Sequence, residues 1–304
     1  MTTTSGLTIV EPMAITDAMI LATDVPEADY TAYSGGTTYA LDAYTMVPAT
    51  HKIYQSLQAS NTGHDPATSP TWWIEVGYNN RWRLFDGKIG SATAQATSFY
   101  YRLVPGIAVT TIGFLNIVGA YTIRVRLIDA TYGTVYDVTT DVSAAPRSAD
   151  WWEWAFGVWS AGQNKLVLLD LPAFPAAELR FDVTGSASLS VGAVVIGQGI
   201  TFGESVQYGL RLALKDYSQK ERDQWGNLDF GNGGSTDRNS FDLSLLNEDV
   251  DALYDYLKTI LTTKCLFVVC DQFTSAILYG IYYTFGVVIA YPLTSDCTFD
   301  LESL

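Results

Sequence analysis

Side chains able to act as acid, base, nucleophile or metal ligand are where a search for function starts, and the most versatile are scarce in this chain of 304 residues, with two histidines and three cysteines. Catalysis needs a nucleophile with a base, or a pair of tuned carboxylates, held in one cleft. His51 and His64 stand in a short stretch with no partner singled out by spacing, and His64-Asp65-Pro66 reads as a turn closed by the Asp side chain. With 32 Asp and Glu residues, two acids suited to glycoside hydrolysis would fall near each other by chance. Glu153 lies among Trp151, Trp152, Trp154 and Trp159, where a carboxyl would be desolvated beside rings that can stack on sugar, yet no second acid accompanies it. The expectation is that the chain has no catalytic residue and is not an enzyme. A glycan-degrading hydrolase is the third reading, behind two binding functions.

Ligand chemistry is no better supplied. Cys265, Cys270 and Cys297 are odd in number and form no CxxC pair, and in the strand-like segment 265–270 the period of two sends Cys265 and Cys270 to opposite faces. They read as buried free thiols of a protein assembled in a reducing cytoplasm. Segment 223–237 is rich in Asp, Asn and Gly, as a calcium loop is, but lacks EF-hand spacing; a solvated hairpin loop is the simpler reading. Gly231, Gly233 and Gly234 are not followed by the Lys and helix start of a phosphate loop. No metal and no cofactor are expected.

Charge narrows the partners. Residues 1–90 carry 4 basic and 9 acidic groups, 91–194 carry 6 and 8, and 195–304 carry 7 and 15, giving −5, −2 and −8 and a total of −15. No part offers the cationic excess that phosphates demand, so neither nucleic acid nor an anionic membrane surface is an expected partner. The longest apolar runs, 277–283 and 287–291, fall far short of the roughly 20 residues of a membrane-spanning helix, and they read as buried strands. The first 20 residues carry no basic group and no apolar run of signal-peptide length. Aromatic residues make up 13%, with 8 Trp and 19 Tyr, a supply that favours binding surfaces.

The elements that would position these residues are mainly strands. Residues 1–26 read as an N-terminal arm leading into a first module. Residues 27–90 hold short strands around Tyr39 and Tyr54, turn sequences at 61–66, and Trp72-Trp73; Arg81-Trp82-Arg83-Leu84-Phe85-Asp86-Gly87 reads as strand into turn. Residues 91–194 show period-two alternation, clearest where Ile123, Val125 and Leu127 alternate with Thr122, Arg124 and Arg126, and short strands at 110–118, 121–129, 134–138, 165–171, 179–183 and 188–196 predict a β-sandwich. The aromatic cluster at 151–156 suits a sugar platform, core packing or a protein contact. In 195–304, Asn247 as N-cap, acidic Glu248, Asp249 and Asp251, and late Lys258 and Lys264 predict one long helix over 247–263. Its stripe of Val250, Leu253, Tyr254, Leu257, Ile260 and Leu261 would pack on a sheet drawn from 206–215, 265–270, 276–282, 284–291 and 297–301.

Tyr33, Gly35-Gly36, Tyr39, Asp42, His51, Tyr54, Asp65-Pro66, Pro70 and Trp72-Trp73 together form a pattern that resembles the chitin-binding-type carbohydrate-binding module over about 45 residues. The family's Gly-Asp turn has Leu41 in place of its Gly, and Ser56, Leu57 and Gln58 stand where the family exposes paired tryptophans. The variant with Asn80-Arg81-Trp82 and Phe85-Asp86 after it is similar to the form found in bacteriophage virion proteins. The C-terminal pattern of Tyr208-Gly209, Asp216-Tyr217-Ser218, Trp225-Gly226 and Phe267 through Cys270 also resembles phage tail-tip and baseplate proteins.

The fold expected is mainly β: a small three-stranded carbohydrate-binding-module-like domain, as the resemblance implies, then the β-sandwich and a C-terminal α+β docking domain with one long helix, as the residue patterns predict. The expected role is a structural component of a tailed-phage tail tip or baseplate. It would be present in several copies in a symmetric assembly, joined to other virion proteins and built in the host cytoplasm. A receptor-binding fibre or tip protein that recognises host-surface polysaccharide is the alternative. Tyr33, Tyr39, Tyr54, Trp72 and Trp73 are the candidate glycan contacts, and Tyr208, Tyr217, Trp225 and Phe230 the candidate protein-interface residues.

Overall fold

The structure, a computed structural model, describes residues 6–143, 151–152, 162–207, 209–222, 224–226, 228–231, 233–270, 273–289 and 291–304, with backbone alone for 228–230. The strands run in chain order as β1 (Leu7–Val10), β2 (Ile20–Thr23), β3 (Tyr44–Val47), β4 (Lys52–Ser56), β5 (Trp73–Tyr78), β6 (Thr93–Ala94) and β7 (Ser98–Leu103). There follow β8 (Thr111–Asp129), β9 (Gly133–Asp141), β10 (Lys165–Leu168), β11 (Glu178–Gly197), β12 (Gly199–Phe202), β13 (Ser205–Val206) and β14 (Arg211–Asp216). Last come β15 (Gln219–Arg222), β16 (Leu228–Gly231), β17 (Ser235–Leu246), helix α1 (Val250–Thr259), β18 (Cys265–Val268), β19 (Ile277–Val288) and β20 (Thr294–Ser303). The protein is mainly β, with several sheets and one long helix near its C-terminus.

The period-two signal is clearest in the central sheet, ordered β10-β8-β11-β7-β2 with β9 beside β8 and β6 beside β11. The short strands expected at 110–118 and 121–129 are one strand, β8, and those at 179–183 and 188–196 are one strand, β11. The sequence breaks between them are kinks: Asn116 and Gly119 take positive φ in β8, opposite a register shift around Gly185 in β11. A bulge re-aims a strand without ending it. Each strand then does two jobs. In the half with Ile123, Val125 and Leu127 buried, the other face is a ladder of ion pairs, Arg124–Asp137 at 2.5 Å, Arg126–Asp182 at 2.5 Å and Arg102–Glu178 at 2.5 Å. In the other half, residues 111–115 are buried on both faces, because Ile112 and Phe114 face the sheet's own core while Leu115 faces a second sheet.

That second sheet is ordered β12-β1-β18-β19-β20-β17-β13, with β14 also on β17. The two sheets pack through Val10, Leu115, Val195, Leu266, Val268, Ile277 and Tyr279, a β-sandwich-like arrangement. Gly113 permits the approach: a Cβ there would sit 2.7 Å from Leu266 Cδ2. Lys165 and Lys264 reach across the chain to donate to Ile277 O at 2.9 Å and Gly87 O at 3.1 Å. Residues 7–10, expected in an arm leading to the first module, are the buried strand β1, inserted between β12 and β18 of the C-terminal sheet. The apolar Leu7, Ile9 and Val10 are all fully buried, and this burial holds the strand far from its sequence neighbours.

Helix α1 covers the other face of this sheet. Leu253, Leu257 and Ile260 meet Phe241, Leu243, Leu278, Phe299 and Leu301, while Tyr254 and Leu261 of the expected stripe are exposed. The helix is shorter than 247–263, since residues 247–249 form a 3-10 turn and α1 ends at Thr259. Asn247 makes no side-chain cap; its amide is engaged elsewhere, as described below. The small module is a three-stranded antiparallel sheet, β3-β4-β5. After it, Arg83–Phe85 is a 3-10 helix where a strand was expected, with Leu84 turned fully into the central core. Among the described residues no helix is long and apolar enough to cross a membrane.

Candidate interaction surfaces

The five candidate glycan contacts come together in one place, and three of them are interior. Tyr39, Tyr54 and Trp73 are the buried core of the small module, with Tyr33 and Trp72 half-buried at its rim. Tyr39 and Trp73 meet edge-to-face at 5.0 Å, and Tyr33 stacks on Tyr39 at 5.8 Å. Trp73 Nε1 donates to His64 O at 2.8 Å, and the Tyr39 hydroxyl accepts from Ser34 N at 2.9 Å, so the polar tips of both rings are satisfied. Trp72 has one face closed by the His64 ring at 3.9 Å. Ala67 N donates to Asp65 Oδ1 at 2.8 Å, the turn that the His64-Asp65-Pro66 sequence predicts.

His51 lies at the seam between module and central domain, with φ at 58° and its ring stacked on Trp82 at 4.2 Å. Its Nδ1 is 2.6 Å from Glu27 Oε1 and its Nε2 is 2.9 Å from Asp17 Oδ2. Glu27 also accepts from Asn79 Nδ2 at 2.5 Å and from Arg81 at 3.4 Å. Both ring nitrogens and the shared carboxylate are therefore engaged in joining three chain segments. Sequence spacing could not have found this cluster, because its acids lie 34 and 24 residues from His51. Among the described residues no group of three or more His, Cys, Asp or Glu is arranged to hold a metal ion. Cys265 and Cys297 are buried beneath α1, and burial pushes their thiols up to about 12 and about 11.

The candidate protein-interface residues are spread more widely. Tyr217 is half exposed, its hydroxyl donating to Glu302 Oε1 at 3.0 Å and Lys215 Nζ lying 4.6 Å from its ring centre. Trp225 is 78% exposed, in the turn of the β15–β16 hairpin. Tyr208 lies outside the described residues, as do Glu153, Trp154 and Trp159, and Phe230 lies in β16 with its side chain outside them. Asp223, Asn227 and Asn232 of the oxygen-rich segment are likewise outside.

One exposed apolar surface is where the sequence pattern placed buried strand. The runs 277–283 and 287–291 were expected to be buried, but only Ile277–Gly280 are; from Ile281 onward β19 leaves the sheet-on-sheet contact. Beyond it Val288, Ile289, Tyr291 and Leu293 are each at least 60% exposed. They sit at the β19–β20 turn, and that turn is held. Asn247 Nδ2 donates to Tyr291 O and Pro292 O, both at 3.0 Å, Asn247 N donates to Leu293 O at 3.0 Å, and Ser295 Oγ donates to Asn247 Oδ1 at 2.5 Å. The signal for this surface was present: apolar residues on both faces of 281–288, where the neighbouring strand β20 alternates.

Charges at the far end of β20, away from this turn, are locally paired. Arg238 donates to Glu302 at 2.6 Å and its guanidinium lies 5.4 Å from the Tyr283 ring centre. Burial alone would raise the Glu302 carboxyl, but hydrogen bonds from Arg238 and Tyr217 outweigh it and hold the group below the usual range. Neither a protein-family model, nor a curated protein, nor a solved structure matches this chain.

Proposed function

We propose that the chain is a non-enzymatic structural subunit that docks on other proteins of a tailed-phage tail tip or baseplate through its C-terminal sheet. The observation that carries docking is the pinned, exposed apolar turn of Val288, Ile289, Tyr291 and Leu293. Water contact with such a cluster is unfavourable, and surfaces of this kind mark interaction sites. Holding the turn through Asn247 reduces the ordering cost of association, which raises the affinity available from a few anchors. The phage setting rests on the sequence patterns at 33–86 and 203–280.

A second reading, recognition of a host-surface polysaccharide by the small module, is favoured only by the half-exposed rims of Tyr33 and Trp72. The interior place of Tyr39, Tyr54 and Trp73 supports a packing role for the other three.

The test uses the full chain, because a fragment of residues 195–304 would lack β1 from the middle of its own sheet. Purified particles stripped of host debris should contain the chain in fixed stoichiometry. In an assembly reaction, Ile289→Asp with Leu293→Asp should leave it folded and unincorporated. Recovery of the chain only from infected-cell lysate, or normal incorporation of the double variant, would overturn the reading.

A further inference from the structure

A groove of about 350 Å³ lies on the C-terminal sheet, on the face opposite α1 and away from the pinned turn, and its floor and walls follow from strand register. Arg211 on β14 is opposite Ser240 on β17, Ser240 is opposite Asp300 on β20, and Asp300 is opposite Thr284 on β19. In the next row Ala213 is opposite Arg238, and Arg238 is opposite Glu302. Residues opposite one another share a face. The small side chains of Ala213, Ser240 and Thr284 thus form a depression bounded by the long ones of Arg211, Arg238 and Tyr283, and all six line the groove.

Two guanidinium groups line this groove, and one of them is free to meet a ligand. Arg211 has no ion pair and no side-chain hydrogen bond among the described residues, in a chain where acids outnumber bases 32 to 17. Arg238 uses one nitrogen on Glu302, but its Nε is buried and has no hydrogen-bond partner. A planar guanidinium fork matches a carboxylate with two parallel hydrogen bonds. Tyr283, 69% exposed, adds an open ring edge and a phenolic hydroxyl. Ser240, Thr284 and Asp300 add hydroxyl and carboxylate partners of the kind that sugar hydroxyls use.

We propose that this groove binds a carboxylate-bearing saccharide, one or two uronic-acid-type units, with Arg211 on the carboxylate, Tyr283 against the ring, and Ser240, Thr284 and Asp300 on the hydroxyls. The volume suits that size, since small-ligand sites begin at about 300 Å³. A phosphate-rich polymer is a poorer match, because Asp300 and Glu302 flank the arginines, whereas a single carboxylate among hydroxyls is compatible with both. The site is separate from the pinned turn, so docking and saccharide binding can fail independently.

The test is calorimetric titration of the full chain with trigalacturonate, its neutral galactose counterpart, and a short glutamate-rich peptide. The trigalacturonate should bind at least tenfold more tightly than either. Arg211→Ala and Tyr283→Ala, both changes to surface residues, should each weaken it tenfold or more with an unchanged circular dichroism spectrum and melting temperature. Arg211→Lys, which keeps the charge and loses the fork, should fall between. No binding of trigalacturonate, equal binding of the neutral sugar, equal binding of the peptide, or affinity indifferent to Arg211→Ala would each overturn the proposal.

Discussion

The small module and the C-terminal third are both rich in tyrosine, yet they place their aromatic rings differently. In the module Tyr39, Tyr54 and Trp73 are the buried cluster itself. In the C-terminal third the core beneath α1 is mainly Leu, Ile, Phe and Cys, with Tyr279 buried at the seam to the central sheet, while Tyr217, Trp225, Tyr283 and Tyr291 stand outside. The difference lies in what else is available to fill an interior. The module has few aliphatic side chains and closes around rings whose polar tips can be satisfied locally. The C-terminal sheet receives enough aliphatic residues from β1, β17, β18, β20 and α1 to leave these rings at its surface. Aromatic content alone therefore does not indicate a binding surface; aromatic content in excess of what the core needs does.

Removing a ring from each region would break this comparison most directly. Trp73→Ala should destabilise the module by about 3–5 kcal/mol, the usual cost of emptying a buried tryptophan site, seen as a separate early transition in urea. A loss below about 1 kcal/mol would mean that the ring is not core. The C-terminal core should instead show an alkaline weakness. The folded thiols of Cys265 and Cys297 are raised from 9.0 to about 12 and about 11, so their contribution is complete below pH 9 and is lost as pH rises from there to about 12. Each tenfold weakening of a thiol's acidity on folding corresponds to about 1.4 kcal/mol, and Cys297→Val should flatten the high-pH limb of a stability profile. The central sheet should weaken at the other end of the scale. The hydrogen bond from Arg102 outweighs burial and lowers the Glu178 carboxyl, so that contribution is present at neutral pH and lost as pH falls through its depressed folded value.

Smaller effects sharpen the comparison. Asn247→Ala removes the amide contacts that hold the apolar turn and should cost about 1–2 kcal/mol, with faster amide exchange at 291–295. Ile289→Asp, on the exposed turn itself, should change stability by less than about 0.5 kcal/mol while abolishing incorporation. If it instead lowers the melting temperature markedly, the turn is internal packing and the contrast with the module fails.

Much of the architecture was legible because it rests on local alternation. Residues 122–127 announced a half-buried strand, and Leu253 with Leu257 announced a helix face. Less legible was anything that depends on which segments meet. Residues 7–10 gave no sign that their neighbours would be Phe202 and Val268. Gly119 and Gly185 looked like strand ends and are kinks within long strands. Asn247 has the composition of an N-cap, but the nearby carbonyls of Tyr291 and Pro292 took its amide. The groove beside Arg211 depends on a register across four strands, which no single segment encodes.

The insertion of β1 between β12 and β18 has a consequence for synthesis. Thr8 bonds to Thr201, 193 residues later. At roughly 5–20 residues per second that separation represents about 10–40 s in which an apolar strand waits without its partners. The C-terminal sheet closes only when both have left the ribosome, so an interrupted chain would expose the strand that a completed one buries. Burial of β1 therefore reports that synthesis has passed at least as far as β18.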